Sequence, residues 1–313
     1  MFTIKQPQTI IFGKFCASKY SYKKKPLLIT SKGAKSRGWL EYLNLDESYI
    51  FDEVESNPSI EITKKIINEF SNTNFSYIIG LGGGSCLDVA KFVAKEMNVH
   101  KILIPTTFGS GSELTRISVL KVEGKKKSFH DDLMFADIAL IDSHFLNNTP
   151  LNVFKNSLID SCAQCSEAYD SKISNPYTKF LCKKAFELLE YGVINSDKES
   201  IVMGSLYCGL GFGNSSTTLG HALSYVFSNE GYSHGHALAH TTTAAHKFNQ
   251  SIFYDRFKQL VSRLNFTDIT LKQNIEDASD LVLSDRKHLD NNPINVSKSD
   301  VVKLLQNICE GKV

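Results

Sequence analysis

Ile78-Ile79-Gly80-Leu81-Gly82-Gly83-Gly84-Ser85 is the stretch on which the reading of the fold turns. An apolar, β-branched run ends in clustered glycines, and Leu87–Met97 then takes up helical spacing. Glycines at such a junction let the backbone approach a phosphate, while the helix N-terminus offers unpaired N–H groups and a partial positive charge. Ser85 is a natural N-cap, with Asp88 three residues on. The same glycines also suit a plain strand-to-helix turn, and the run is not the G-x-G-x-x-G fingerprint.

Working outward, short apolar runs stand at Thr9–Phe12, Pro26–Thr30, Ser76–Gly80, Lys101–Pro105 and Ile138–Asp142, with helical spacing at Ile60–Phe70 between them. Strands separated by helices predict a parallel sheet with right-handed crossovers, whose ligands sit beyond the strands' carboxyl ends. A second loop, Ile104-Pro105-Thr106-Thr107-Phe108-Gly109-Ser110-Gly111-Ser112-Glu113, again follows a strand. Its hydroxyls and glycines suit a sugar or pyrophosphate wall, so the two loops together point to a dinucleotide. Beyond Phe145 helical stretches dominate: Asn152–Tyr169, Pro176–Leu189, Ile201–Phe212, Thr217–Phe227, Phe253–Leu264, Asn274–Leu283 and Lys298–Cys309. The expected organisation is an α/β nucleotide-binding domain with a parallel sheet over residues 1–145, and an all-α domain binding metal and substrate over 146–313. Ser284–Ser299 reads as a polar loop broken at Asn291–Pro293.

A net charge of +2 with 22% charged residues gives no reason to expect nucleic acid or a membrane as a partner. No apolar stretch of about 18 residues is present, and the first residues lack a signal-peptide layout. Seven scattered cysteines read as free thiols of a cytoplasmic protein. The basic runs Lys23–Lys25 and Lys125–Lys127 read first as solvated faces.

The helical half holds candidate metal ligands. Asp160 and Gln164 lie four apart on a predicted helix and share a face. His221 follows a glycine-containing turn, and His234 stands in Ser233-His234-Gly235-His236. One carboxylate and two imidazoles suit Zn²⁺ or Fe²⁺ with open positions. His236 and His240, also four apart, form a rival pair. Cys162 and Cys165 form a C-x-x-C with no second such motif, which reads as two buried helix-face thiols.

These residues resemble those of the iron-containing alcohol dehydrogenase family. Thr9–Gly13 is similar to its opening strand, Gly82–Lys91 to its Gly-Gly-Gly-Ser…Asp-x-x-Lys segment, Ile104–Glu113 to its Pro-Thr-Thr-x-Gly-x-Gly-Ser-Glu loop, and Asp160…Glu167 with His221…His234-Gly235 to its metal-binding segments. The resemblance runs to about residue 250. It implies a nicotinamide cofactor contacted by Ser31, Gly82, Gly83, Gly84, Ser85, Asp88, Thr106, Thr107, Ser110 and Ser112. It also implies a divalent ion, Fe²⁺ or Zn²⁺, at Asp160, Gln164, His221 and His234, a small aldehyde or alcohol as substrate, and a homodimer. Within the family the nearest resemblance is to the branch reducing phosphonoacetaldehyde and related aldehydes.

Three positions depart from the family pattern. Gln164 stands where a histidine ligand is usual, and offers a weaker neutral oxygen. Tyr225 replaces an active-site histidine and is a candidate proton donor. Ser31 replaces an aspartate that contacts the cofactor ribose, which favours NADPH over NADH, with Lys32, Lys35 or Arg37 as partners for the added phosphate. An anionic substrate wants a cation, for which Lys126, Lys127 and His236 are candidates. A sugar-phosphate cyclase or a polyol-phosphate dehydrogenase on the same scaffold, and a nucleotide-binding chain without turnover, are the alternatives.

Overall fold

The computed structural model describes all residues, Met1–Val313. It contains two compact units, Lys5–Pro150 and Leu151–Val313, the second joined by Met1–Ile4. All seven cysteines are free thiols, and no helix is long and apolar enough to cross a membrane.

In the first unit β1 (Thr9–Phe12), α1 (Cys16–Lys19), β2 (Leu27–Ile29), α2 (Lys32–Ser36), α3 (Trp39–Tyr42) and β3 (Tyr49–Phe51) come first. They are followed by α4 (Ile60–Phe70), β4 (Ile78–Gly82), α5 (Gly84–Glu96), β5 (Lys101–Pro105), β6 (Ile117–Val122), β7 (Lys125–His130) and β8 (Ile138–Ile141). Six strands form a parallel sheet in the order β1-β8-β5-β4-β2-β3. Its central strands are buried on both faces, which is why β4 and β5 read as unbroken apolar runs rather than alternating ones. Three strands were not foreseen. β3 is a three-residue edge strand, and β6 pairs with β7 as an antiparallel hairpin that takes in the basic run Lys125–Lys127.

The adjacent strands β4 and β5 deliver the two glycine loops side by side. Gly82 has φ +151°, and a Cβ there would lie 2.7 Å from Cys86 Sγ. Positions for a Cβ on Gly83 and Gly84 lie 3.1 Å from Thr107 Oγ1 and 2.8 Å from Ser110 Oγ, so the loops are in contact. Helix α5 starts at Gly84 with Gly83 as N-cap, so Ser85 sits inside the first turn rather than capping it.

Asp88 and Lys91 of α5 staple this unit together. Asp88 accepts from Ser112 Oγ (2.6 Å) and Val119 N (3.0 Å). Fully buried Lys91 reaches Asp88 (3.2 Å) and the carbonyls of Ser112 (2.8 Å), Thr115 (3.5 Å) and Ile117. Burial lowers the pKa of this lysine, against which Asp88 acts. Beside them Glu113 is 2% exposed and its Oε2 has no hydrogen-bond partner. Burial raises its pKa from 4.5 to about 7.

The folded chain therefore favours the protonated acid at Glu113. That contribution is complete below the unfolded pKa of 4.5 and is lost as pH rises through about 7. By this account Glu113→Gln raises the melting temperature at pH 8, where removing the buried charge is worth on the order of 3 kcal/mol, and changes little at pH 4. A pH series of thermal melts of both proteins checks the crossover.

The second unit is helical: α6 (Leu151–Asp170), α7 (Pro176–Asn195), α8 (Lys198–Phe212), α9 (Leu219–Asn229), α10 (His234–Asn249), α11 (Tyr254–Leu264), α12 (Ile275–Ser284), α13 (Arg286–Asn291) and α14 (Lys298–Cys309). Local signals set the ends. Asn175 and Thr178 form a capping box at α7 with Pro176 in the first turn, and Ser297 and Asp300 form another at α14. A core including Leu223, Val226, Phe227, Val282, Leu289, Val301 and Leu305 joins α9, α12, α13 and α14. Two expectations change here. Part of the polar stretch Ser284–Ser299 is the helix α13, and the histidine-rich run after Ser233, absent from the helical stretches read from the sequence, is the helix α10.

Candidate metal centre

Helix α6 presents Asp160, Gln164 and Glu167 at i, i+4 and i+7, so the three share one face. His221 comes from the first turn of α9, and His234 is the first residue of α10. One ligand atom from each of Asp160, His221 and His234 lies within 4.8 Å of the others. His221 Nε2 is 3.7 Å and His234 Nε2 is 3.9 Å from Asp160 Oδ1.

The outer partners orient both imidazoles. His221 Nδ1 pairs with Glu167 Oε2 at 2.7 Å, and the same oxygen accepts from Thr218 N at 2.9 Å. Ser224 Oγ donates to the His221 carbonyl (2.8 Å) and lies 3.5 Å from His234 Nδ1. With Nδ1 of each ring turned to an oxygen, both Nε2 atoms are left to face Asp160. Carboxylate or hydroxyl support behind a ligating histidine is the usual way a metal site fixes ring and tautomer. Burial opposes charge on His221, yet Glu167 and Asp160 outweigh it and raise its pKa to about 9. The pocket therefore draws positive charge, and a donor set of one carboxylate and two imidazoles, neutral once an ion displaces the proton from His221, fits a divalent ion of the Zn²⁺ or Fe²⁺ type.

Gln164, expected as a ligand, lies against Asp160 on the same face of α6. Its Nε2 donates to Asp160 Oδ1 at 2.8 Å, and its Oε1 accepts from Cys208 Sγ at 3.5 Å. In this arrangement the amide holds the carboxylate. Tyr225 is brought to the centre: its ring stacks on His234 with centroids 6.2 Å apart, and burial pushes its phenol up.

His236 belongs elsewhere. Two residues along a helix turn the side chain by about 200°, and His236 Nε2 faces the Thr267 carbonyl at 2.6 Å. His240 Nε2 faces the same carbonyl at 2.9 Å, so the rival pair serves a backbone oxygen rather than a metal. Cys162 and Cys165 are buried thiols, Cys165 Sγ donating to the Cys162 carbonyl. Lys126 and Lys127 lie on β7, with the Lys127 ammonium 5.6 Å from the centre of the Phe129 ring.

Among the expected cofactor contacts, Gly82, Gly83, Gly84, Thr107 and Ser110 meet at the two loops, and Thr106 N donates to the Gly82 carbonyl at 3.0 Å. Asp88 and Ser112 hydrogen-bond each other inside the unit, where they hold α5 to the following segment. Ser31 caps α2 and lines a cleft of about 870 Å³ with Lys32, Gly33, Asp52, Glu53 and Lys121.

Two participants were missed from the sequence. Glu167 was quoted only as the end of a motif, although its spacing from Asp160 places it on the same face. His288 of α13 lies against His221, with ring centroids 6.1 Å apart, inside a stretch read as a loop.

Comparison with known proteins agrees with this fold. Residues 7–143 match the family described as iron-containing alcohol dehydrogenase, and residues 155–284 match the C-terminal part of the Fe-containing alcohol dehydrogenase family. The chain belongs to the iron-containing alcohol dehydrogenase family. It is 32% identical to the 4-hydroxybutyrate dehydrogenase of Clostridium kluyveri over 230 residues, 64% of this chain and 62% of that protein. It is 27% identical to the sulfoacetaldehyde reductase of Bilophila wadsworthia over 202 residues, 56% of this chain and 52% of that one. The chain thus spans between about half and 62% of the length of these relatives. Its fold is that of the sulfoacetaldehyde reductase from Bifidobacterium kashiwanohense, solved with NAD⁺, at a TM-score of 0.89, 21% identity and 99% coverage of each chain.

Proposed function

We propose that this chain reduces a small, polar or anionic aldehyde to its alcohol, using a nicotinamide cofactor and a divalent ion held by Asp160, His221 and His234. The observation that carries the reading is the convergence of those three side chains, with both imidazoles backed at Nδ1 and turned by Nε2 toward one carboxylate. A divalent ion bound there would act as a Lewis acid on the substrate oxygen. The chain's own residues supply the rest. Glu167 and Ser224 hold the imidazoles, Gln164 holds Asp160, and the phenol of Tyr225, kept protonated, is a donor beside His234. The loops at Gly82–Gly84 and Thr106–Ser110, with the N-terminus of α5, suit a pyrophosphate.

NADPH is the cofactor this reading favours. Ser31 carries no charge to repel a 2′-phosphate, and Lys32 lines the same cleft. Of the acids there, Asp52 and Glu53 are paired with Lys35 and Lys65, and Glu55 also lines the cleft, while Arg37 donates to the Gly33 carbonyl. Lys35 and Arg37 are thus already engaged, and of the two lysines lining the cleft, Lys32 and Lys121, Lys32 directly follows Ser31 and is the favoured partner for the phosphate. The test is a screen of NADPH and NADH oxidation with sulfoacetaldehyde, phosphonoacetaldehyde and the aldehyde of 4-hydroxybutyrate, with Zn²⁺ or Fe²⁺ supplied. Consumption of NADPH in step with alcohol formation is expected. Ser31→Asp should shift the preference to NADH by about tenfold or more, the effect of an ionic contact of about 1.5 kcal/mol. Absence of turnover with every aldehyde and both cofactors contradicts the reading.

A further inference from the structure

Helix α13 brings an Asp–His pair to the metal centre that the assignment above leaves without a task. Asp285 Oδ2 lies 2.6 Å from His288 Nδ1, and Asp285 Oδ1 accepts from the His288 backbone N–H at 3.3 Å. The imidazole is 8% exposed. It stacks on the ligand His221 with centroids 6.1 Å apart and planes 17° from parallel, and its centroid lies 5.8 Å from that of Tyr225. As a helix cap, Asp285 needs only the backbone N–H, so capping accounts for the acid and not for the ring's position. His288 stands outside the three residues whose ligand atoms lie within 4.8 Å of one another. Its Nε2 has no hydrogen bond to the protein and is not among the buried polar atoms shut off from solvent. The ring is thus fixed at one nitrogen and open at the other, beside the ligands.

We propose that His288 is a substrate-binding residue: its Nε2 hydrogen-bonds the oxygen of the aldehyde or alcohol at the centre, and Asp285 positions the ring. The inference rests on the proposed reduction and adds a contact to it. Fixing Nδ1 to a carboxylate removes the ring-flip and tautomer freedom that a lone surface histidine keeps, so the open nitrogen is already oriented when substrate arrives.

The test compares wild type, His288→Ala, His288→Gln and Asp285→Asn, each loaded with Co²⁺. Co²⁺ affinity, read by competition with a chelator, should be unchanged in the His288 variants. For the best aldehyde of the screen, His288→Ala should lower kcat/KM by about 10- to 100-fold, mainly through KM, as loss of one hydrogen bond to a polarised oxygen does. Glutamine places an amide near the position of Nε2 and should recover much of the loss, with Asp285→Asn intermediate. Equal kcat/KM in wild type and His288→Ala overturns the proposal. So does equal impairment of the Ala and Gln variants, or weakened Co²⁺ binding in His288→Gln, since each marks a packing or ligand role. If wild type turns over no aldehyde, the reduction fails separately, and the contact is judged on 4-hydroxybutyrate binding to the Co²⁺-loaded proteins by visible absorption. Weaker binding by His288→Ala supports it; equal binding by the two, or none by wild type, overturns it.

Discussion

Asp160→Ala is expected to leave a folded chain that holds no divalent ion at micromolar concentration and reduces no aldehyde. Asp160 is the one anionic member of the set and the point on which both Nε2 atoms converge, at 3.7 and 3.9 Å. Its removal takes away a ligand and leaves two imidazoles facing each other across a cavity. Loss of an outer partner of a ligating histidine costs about 10- to 100-fold in affinity, and loss of a ligand should cost more. Glu167→Gln supplies the graded comparison. The amide keeps the size of the carboxylate but not its charge, and should weaken the ion's binding within that smaller range. Dissociation constants for Zn²⁺ in the three proteins, measured by chelator competition, give the order wild type, Glu167→Gln, Asp160→Ala. An Asp160→Ala chain binding as tightly as wild type would remove the carboxylate from the centre.

Gly235→Ala should give the largest stability effect of a single methyl group near the centre. A Cβ at Gly235 would lie 2.2 Å from the Asn156 carbonyl oxygen and 2.5 Å from Asn156 Cα. These are backbone atoms of α6, so no side-chain rotation relieves the clash. The start of α10 must move off α6, and His234, one residue before, moves with it away from Asp160. Overpacking of this kind costs about 1–3 kcal/mol, and more where the obstacle is backbone. A lower melting temperature together with weakened Zn²⁺ binding is the expected result. An unchanged melting temperature would show that α10 is not seated as described.

The parts of this architecture that left a mark in the sequence are those whose physics is local. Gly82–Gly84 were legible because a strand-to-helix turn with close backbone contacts leaves little but glycine acceptable. The parallel strands were legible because burial on both faces makes continuous apolar runs. Asp160, His221 and His234 stood out by residue type and by their resemblance to the family pattern. What stayed hidden depends on three-dimensional neighbours. β3 is too short to show a period, and the β6–β7 hairpin was masked because Lys125–Lys127 reads as a charge run. Helix α10 is rich in Thr and His, which have only modest helix propensity, and its burial on most of its surface shows only in three dimensions. Asp88 was assigned to the cofactor by resemblance, yet its oxygens meet Ser112 and Val119, partners that no spacing rule announces. His236 lies two residues from His234 in sequence and on the opposite side of a helix in space. His288 went unnoticed because α13 is a short helix in a polar stretch.

The measurement that bears most directly on the central claim is the metal content of the purified chain against its NADPH-dependent aldehyde reduction. Protein stripped with a chelator and then titrated with Zn²⁺ or Fe²⁺ should regain reduction in proportion to bound ion, reaching its maximum at one ion per chain. Reduction that persists in fully stripped protein, or an ion that binds equally well to Asp160→Ala, would contradict the account.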